Sequence, residues 1–213
     1  MKVDFLVLGD FQTNCYVLRE ADAADRCLIL DPGFGGEQVV AWLAERQCRP
    51  GRILITHGHC DHVAGLPILR EAFGPIPTAI GRGDADLLAD PRLNLSALLG
   101  EPFTLPPAEQ LLDPGDVVEF GALRLKVLPT PGHTPGGLSF YAQTEQAVFS
   151  GDSLFADSIG RHDFPGGNQE ILLRSIREQI LSLPDQTRVY PGHGPITTVG
   201  REKRTNPFFR QGW

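Results

Sequence analysis

Short apolar runs separated by turn residues dominate the pattern of hydrophobic and polar positions along the chain. The β-branched and alternating runs predict strands at residues 2–8, 14–20, 26–31, 52–56, 116–120, 122–128, 137–142, 146–150 and 187–190. Apolar positions spaced by three and four predict helices at 37–47, 63–73 and 169–183, and segment 75–110 is mixed. Each half of the chain places strands before helices. The pattern therefore predicts two sheets packed face to face, with helices outside.

Composition narrows the class of protein. The chain has 213 residues, of which 41% are hydrophobic and 21% are charged, as in an ordinary globular domain or at most two very small ones. Disordered, collagen-like and coiled-coil proteins are excluded. Asp4 and Asp10 interrupt the first apolar run, so we predict no signal peptide and no membrane span. The four cysteines lack C-x-x-C spacing, which favours reduced thiols and a cytoplasmic location.

The overall charge argues against one class of partner. The formal net charge is −7, from 19 Lys and Arg against 26 Asp and Glu, and no long basic run interrupts the sequence. Nucleic-acid-binding proteins normally carry a basic patch or stripe. We therefore predict no nucleic-acid partner.

Histidines form the densest polar cluster. Three of the six histidines lie in Thr56-His57-Gly58-His59-Cys60-Asp61-His62, directly after a predicted strand. A chance H-x-H-x-D-H pattern is expected on the order of 3 × 10⁻⁴ times in such a chain. Extended backbone directs His57 and His59 to the same side, while Asp61 and His62 follow where the next helix begins. One short loop can thus supply ligands to two metal ions.

Three further residues fit the same picture. His133, Asp152 and His193 each follow a predicted strand and a glycine, which places them at one edge of the sheets. Taken singly, Asp61 could be a helix N-cap, Asp152 an Asx-turn residue and His193 a rigid-turn residue. Taken together, five histidines and two aspartates suit zinc, iron or manganese. The sequence therefore predicts a dinuclear metal centre.

The order of these motifs resembles that of a known superfamily. THGHCDH at 56–62, PGHT at 131–134, SGD at 150–152 and PGHG at 191–194 resemble the metallo-β-lactamase-fold hydrolases, over nearly the whole chain. Residues 158–167 and 197–208 are most similar to glyoxalase II and its short relatives. The resemblance implies an α+β fold, a four-layer αββα sandwich formed as a single domain by residues 1–213. The C-terminal helical domain of full-length glyoxalase II is not expected.

The resemblance also implies a role for each site residue. The first metal would be bound by His57, His59 and His133, and the second by Asp61, His62 and His193. Asp152 would bridge the two metals, and Asp61 would also orient the attacking hydroxide. Asp31 would support the metal loop from behind the ligands. His162 matches no ligand position. The cofactors would be two divalent ions, with zinc expected first and iron or manganese as alternatives.

The implied reaction is the hydrolysis of a thioester such as S-lactoylglutathione, by attack of a metal-bridging hydroxide. A leaving thiol has a pKa of about 8.5 and departs without strong acid assistance. An amide would need a proton donor, and the sequence shows no dedicated one. The partner is therefore a small-molecule thioester, expected to be glutathione-linked.

Basic residues near the end of the chain could bind the carboxylates of such a substrate. The predicted contacts are Arg161, Arg201, Lys203 and Arg204. A solvated basic surface is an equally good interpretation of the last three. The Lys-x-Tyr that contacts glutathione in full-length glyoxalase II has no clear equivalent, since residues 161–163 read Arg-His-Asp.

Other members of the superfamily fit less well. A zinc β-lactamase typically has Cys or Ser in place of Asp152, and a diiron flavoprotein usually has Glu in place of His59. A tRNA-processing nuclease usually carries an additional RNA-binding arm. The main alternative is an iron-dependent persulfide dioxygenase, which keeps these ligands but uses one metal. A purely structural metal site is normally four-coordinate with N and S ligands, unlike this set.

Overall fold

Two mixed β-sheets form the centre of the structure. The computed structural model describes residues 1–21 and 25–210. Within these residues, the first sheet has six strands in the order of the chain. They are β1 (Lys2–Leu8), β2 (Thr13–Arg19), β3 (Arg26–Leu30), β4 (Arg49–Ile55), β5 (Thr78–Gly81) and β6 (Gln110–Leu112). The pairing is antiparallel from β1 to β3 and parallel from β3 to β6.

The second sheet is built from the later part of the chain. Its strands are β7 (Val117–Phe120), β8 (Leu123–Pro129), β9 (Leu138–Ala142), β10 (Ala147–Gly151), β13 (Arg188–Pro191) and β14 (Thr197–Thr198). A hairpin of β11 (Leu154–Phe155) and β12 (Ser158–Ile159) precedes the last two. The spatial order is β14-β13-β10-β9-β8-β7, and only the β10–β13 pair is parallel. The carboxyl ends of these two parallel strands therefore lie side by side.

Helices cover the outer faces of both sheets. The α-helices are α1 (Gly36–Glu45), α2 (Cys60–Val63), α3 (Leu66–Phe73), α4 (Gln169–Ser175) and α5 (Val199–Thr205). Two 3₁₀ helices span Arg82–Ala89 and Ser96–Leu99, and a π-helix, Ile176–Ile180, continues α4. None of the helices in the described part of the chain is long and apolar enough to cross a bilayer.

Alternating side chains divide the core into three layers. In β2, β3 and β4, Val17, Ile29 and Ile53 pack outward with α1 and α3. Their neighbours Leu18, Leu28 and Leu54 pack inward against the second sheet. A third cluster lies between the second sheet and α4, with Leu172 and Ile176 at its centre. These layers confirm the predicted α+β class and the αββα arrangement.

An aromatic cluster joins the two sheets. Tyr16 of the first sheet lies edge-on to Phe149 and Tyr190 of the second, with ring centroids 5.3 and 5.5 Å apart. Phe149 and Tyr190 are stacked at 4.9 Å. The Tyr16 hydroxyl donates a hydrogen bond of 2.7 Å to the carbonyl of Pro191. The central core therefore reaches the end of β13, where the His193 loop begins.

Several predicted boundaries were wrong for local reasons. The predicted helix at 63–73 corresponds to α3, which begins only at Leu66, because Val63 ends the short helix α2 and the chain turns at Ala64 and Gly65. Pro67 lies in the first turn of α3, where a proline is tolerated. The predicted helix at 169–183 changes to π-helix after Ser175. The mixed segment 75–110 contains β5 and both 3₁₀ helices, and β6 begins at its end. These elements are too short for periodicity to be visible in the sequence.

We expect Phe149→Ala to lower the free energy of unfolding by about 3–5 kcal/mol, because it leaves a cavity in the buried layer between the sheets. Phe149 is 1% exposed. The matched control is Phe5→Ala, whose ring is 49% exposed and should cost less than half as much. Urea denaturation measures both. Equal losses for the two variants would show that the central layer does not carry the stability.

Candidate metal centre

Loops from both sheets meet at one edge of the sandwich and bring the predicted ligands together. His57 and His59 follow β4, His62 lies in α2, and His133 and His193 follow β8 and β13. Three sets of side chains place their ligand atoms within 4.8 Å of one another. The sets are His57, His59 and His133; His57, His62 and Asp152; and Asp61, His62 and His193.

The first set is a group of buried imidazoles. His133 Nε2 lies 2.9 Å from His59 Nδ1 and 3.2 Å from His57 Nε2. All three side chains are almost completely buried. Nitrogen lone pairs this close repel one another unless a proton or a cation lies between them. Their convergence is the geometry of a metal site with three nitrogen ligands.

Asp61, His62 and His193, which we call the second set, add a carboxylate to the imidazoles, and Asp152 adds another. His193 Nε2 lies 3.1 Å from Asp61 Oδ2 and 3.3 Å from His62 Nε2. Asp152 Oδ1 lies 3.3 Å from His62 Nε2, and its Oδ2 lies 3.5 Å from His193 Nε2 and 3.7 Å from His133 Nε2. Asp152 therefore lies between the two sets, the position expected of a bridging ligand.

Hydrogen bonds on the far side of three rings fix their orientation. His62 Nδ1 lies 3.0 Å from Asp31 Oδ2. His133 Nδ1 and His193 Nδ1 lie 2.6 and 2.9 Å from the carbonyl oxygens of Arg161 and Phe11, to which they can only donate. In each ring this leaves Nε2 free to act as a metal ligand.

Asp31 lies behind the ring of His62. Its carboxylate accepts hydrogen bonds from the backbone N–H and the hydroxyl of Thr56, at 2.8 and 2.7 Å, as well as contacting His62. Its backbone has a φ of 51°, in the left-handed region. The turn after β3 thus holds the start of the histidine loop and the ring of His62 at the same time.

The donor set fits divalent cations of the zinc and iron type. Asp152 Oδ1 is buried and has no hydrogen-bond donor, although imidazole nitrogens surround the carboxylate. A cation in contact with this oxygen would compensate the loss of hydration. None of the three ligand sets found among the described residues contains a cysteine, so the candidate ligands are nitrogen and carboxylate atoms.

Burial keeps His57 and His59 of the first set neutral. Burial, together with the neighbouring imidazole of His133, lowers the pKa of His59 to about 3. Burial likewise holds the pKa of His57 well below its ordinary value. Both rings are therefore uncharged at neutral pH, the state in which a histidine binds a metal ion.

In the second set, protons on the imidazoles supply the positive charge that a metal ion would otherwise provide. Burial by itself lowers the pKa of His193, but contacts with Asp152 and Asp61 outweigh it and raise the value to about 10. Burial raises the pKa values of Asp61 and Asp152, but the charge of His62 outweighs it and both lie below the usual range. Metal binding at this set would displace protons from imidazolium groups.

Asp84 joins the loop of His57 and His59 to the loop of His133, and sequence reasoning missed it. Its fully buried carboxylate accepts hydrogen bonds from Gly58 N–H, Thr134 Oγ1 and Gly136 N–H, at 3.1, 2.7 and 2.6 Å. These donors flank His57, His59 and His133. Asp84 lies in a segment without periodic pattern, so the sequence carries no signal for it.

Asn14 holds the His193 loop and was also missed. Its backbone N–H donates to Gly192 O at 2.7 Å, and its side-chain amide donates to Pro191 O and Gly194 O at 2.9 Å each. A buried asparagine within the apolar strand β2 is the sequence signal that could have revealed it. Gly192 itself must lack a side chain, because a Cβ there would collide with Asp152 Oδ1 and the His62 ring.

A cleft of about 470 Å³ opens onto the metal-centre residues. Apart from the predicted ligands, most of its lining is apolar. The residues that line it are Phe11, His59, Cys60, Asp61, Leu95, Leu98, Leu99, His133, Asp152, Phe155, Ser158, Ile159, Arg161, Phe164 and His193. This size is typical of a site for a small organic molecule.

Of the predicted substrate contacts, only Arg161 lines this cleft. Its guanidinium is paired with Asp163 at 2.8 Å and lies 4.0 Å from the centre of the Phe164 ring. The other three lie on α5, where Arg201 pairs with Asp157 and Glu202, Lys203 pairs with Asp185, and Arg204 is exposed. Their role in substrate binding stays a prediction.

Comparison with known proteins agrees with this geometry. Residues 8–193 match a family profile described as "Metallo-beta-lactamase superfamily". The chain is 42% identical to a probable metallo-hydrolase, YqgX, of Bacillus subtilis, over 98% of this chain and 97% of that protein. It is 34% identical to the hydroxyacylglutathione hydrolase GloC of Haemophilus influenzae, over 98% of each chain.

Solved structures give the same fold. The crystal structure of BLEG-1, described as a B3 metallo-beta-lactamase, has a TM-score of 0.93 and 42% identity, over 99% of this chain and 100% of that chain. TTHA1623 in a di-iron-bound form has a TM-score of 0.84 and 38% identity, over 97% of this chain and 100% of that chain. ETHE1 from Myxococcus xanthus has a TM-score of 0.79 and 29% identity, over 97% and 84%.

We expect Asp84→Asn to weaken metal binding by about 10–100-fold, because an amide nitrogen cannot accept from the three donors that the carboxylate holds. The exposed Asp86 of the same 3₁₀ helix supplies the control, Asp86→Asn, which should bind metal like the parent protein. Competition with a chromophoric chelator measures the affinity, and circular dichroism checks the fold. A folded Asp84→Asn protein with unchanged affinity would contradict the positioning role.

Proposed function

The chain belongs to the metallo-β-lactamase superfamily of metallo-hydrolases, and on that premise we propose that it hydrolyses a thioester such as S-lactoylglutathione at a dinuclear metal centre. The observation that carries the proposal is the position of Asp152. One carboxylate oxygen lies beside His62, and the other lies between His193 and His133. That placement supports two ions sharing one bridging ligand.

Each set of side chains has a distinct task in this proposal. His57, His59 and His133 would hold one divalent ion, and Asp61, His62 and His193 the other, with Asp152 between them. Bound there, the two ions would lower the pKa of a water shared between them and polarise the substrate carbonyl. The buried loops around Asp84 and Asp31 keep the ligands in place, so little reorganisation is needed during the reaction.

Asp61 is the residue that we propose orients the nucleophile. Its Oδ2 faces His193 at 3.1 Å, and the hydroxyl of Thr13 donates to the same oxygen at 3.4 Å. These two contacts fix the carboxylate at the floor of the cleft. A carboxylate held in this way can accept the proton of an attacking water as it adds to the carbonyl.

The cleft favours a leaving group that needs no proton. No lysine or tyrosine is among the residues that line it, and Arg161 is engaged by Asp163. A thiolate departs unaided at neutral pH, whereas an amine requires a proton donor. This argument supports a thioester over the amide bond of a β-lactam, although BLEG-1 is described as a metallo-beta-lactamase.

Similarity to GloC supports glutathione as the carrier thiol, since that relative is described as a hydroxyacylglutathione hydrolase. We propose zinc as the native metal, with iron as the alternative because TTHA1623 was crystallised in a di-iron-bound form.

We also propose that the enzyme acts in the cytoplasm, in keeping with four cysteines that are all free thiols.

A second candidate is a mononuclear-iron persulfide dioxygenase, which the similarity to ETHE1 keeps in view. Such an enzyme would leave half of the ligand set without a metal. The second set argues for two ions, because His62 and His193 are each oriented from behind by Asp31 and Phe11. An idle set would gain nothing from that support.

We expect Asp152→Ala and His59→Ala each to lower kcat for S-lactoylglutathione by at least about a thousandfold while the protein stays folded, because the first removes the shared ligand and the second a buried nitrogen ligand. The control is His162→Ala, since this histidine belongs to none of the three sets. Elemental mass spectrometry on the same samples measures the metal content.

Two metals per chain with thioester turnover is the expected result for the parent protein. One iron per chain, no thioester turnover, and oxygen uptake with glutathione persulfide would replace the hydrolase by the dioxygenase. Near-normal turnover by Asp152→Ala would show that the bridging role is wrong.

A further inference from the structure

A wall of leucines borders the metal centre on one side of the cleft. Leu95, Leu98 and Leu99, which we call the leucine wall, lie at the 3₁₀ helix Ser96–Leu99 and line the same cleft as His59, Asp61 and His193. Leu98 is 73% exposed and Leu99 is 43% exposed. Apolar side chains exposed together beside a reactive site mark a surface that is covered when a ligand binds.

Hydrogen bonds fix the leucine wall to the metal-binding helix. The carbonyl of Asn94 accepts from the backbone N–H of Cys60 at 2.7 Å, at the start of α2. The Asn94 side chain accepts from Ser96 N–H at 2.9 Å and donates to the Phe103 carbonyl at 3.0 Å. Asn94 and Ser96 are fully buried. The wall is therefore held at a defined distance from Asp61 and His62.

The backbone is strained where the wall begins. Leu95 has a φ of 69°, in the left-handed region that a leucine rarely occupies. This conformation costs on the order of 1 kcal/mol and persists because its neighbours enforce it. It turns the chain so that Leu95 is buried against the cleft while Leu98 and Leu99 project at its rim.

The rest of the cleft lining is also largely apolar. Phe11, Phe155 and Ile159 belong to it, and Phe164 lies edge-on to the imidazoles of His59 and His133 with ring centroids 5.6 and 6.2 Å away. Arg161 is the one basic residue, other than predicted ligands, among those that line the cleft, and Asp163 neutralises it. The cleft therefore offers extensive apolar contact and no uncompensated positive charge beside the metal centre.

We infer that the leucine wall binds an apolar acyl group, so that the substrates are thioesters of medium-length fatty or aromatic acids in preference to the polar lactoyl group. This inference rests on the proposed thioester hydrolysis and specifies its substrate class. The carrier thiols of cells are polar and charged, so the acyl group is the part of a thioester that matches an apolar wall. Covering Leu98 and Leu99 with an acyl chain removes apolar surface from water on both partners.

The first test compares acyl chains on one uncharged carrier. Metal-loaded protein is assayed with the acetyl, butanoyl and hexanoyl thioesters of N-acetylcysteamine. We expect kcat/KM to rise about two- to fourfold for each methylene that the wall covers. The double variant Leu98→Ser, Leu99→Ser should lose most of this increase, so that its kcat/KM becomes nearly independent of the length of the acyl chain. Val117→Ser is the control, since Val117 is 47% exposed on β7 and does not line the cleft.

The second test measures binding without turnover. S-Methylglutathione and S-hexylglutathione are thioethers, which the enzyme cannot hydrolyse, and calorimetry gives their affinities for the metal-loaded protein. We expect the hexyl compound to bind at least about tenfold more tightly, and the double variant to lose that preference while Val117→Ser keeps it.

The two tests separate the inference from the function on which it rests. A hexyl preference that depends on the wall, without hydrolysis of any thioester, would support the apolar site and overturn the proposed reaction. Hydrolysis of all three thioesters at equal kcat/KM, with equal binding of the two thioethers, would overturn the inference and leave the hydrolase intact. A double variant that changes only the oligomeric state in gel filtration would also overturn it, since the wall would then be an interface between copies.

Discussion

Imidazole nitrogens that face one another at 2.9 to 3.3 Å, all but one of them on buried rings, are the constraint on which the rest of the structure depends. Neutral lone pairs at this separation repel, and burial suppresses protonation of His57 and His59. Such an arrangement needs a proton or a cation between the facing nitrogens. In the second set, protons shared with Asp61 and Asp152 provide it, and divalent ions would provide it for both sets.

The sandwich holds this arrangement by joining its two sheets at the edge where the ligands lie. Asn14 and Tyr16, from β2 of the first sheet, bond to the loop that carries His193 in the second. Asp84 accepts hydrogen bonds from Gly58, next to His57, and from Thr134, next to His133, and so joins the two loops. A shift of either sheet would therefore break buried hydrogen bonds as well as metal contacts. Rigidity of this kind suits a site whose ligands must not reorganise during the reaction.

Local pattern was enough for much of the architecture and for the candidate ligands. Successive side chains of a strand point to opposite faces, and in β2 to β4 both faces are apolar. Only a further layer of structure on each side of the sheet can bury both faces. The dense H-x-H-x-D-H motif identified its own chemistry, because the spacing of His57 and His59 follows from extended backbone. His133, Asp152 and His193 could be added because each ends a strand after a glycine. The short strands β5 and β6 gave no comparable signal, since three or four residues are too few to show a period.

The sequence by itself determined the layer order, the ligand types and the edge of the sheets at which they collect, because these depend on short-range periodicity and on strand ends. Apart from Asp31, which the family resemblance suggested, only the tertiary structure decided which polar groups support the ligands. Asp84 and Asn14 act across large sequence separations, at 26 and 177 residues from partners in the site loops. The lining of the cleft also depends on the tertiary structure. Leu98 is an ordinary leucine in the sequence, and its position beside the metal centre follows from the hydrogen bond between Cys60 N–H and the Asn94 carbonyl. Contacts of this kind depend on the packing of distant segments, which local pattern does not encode.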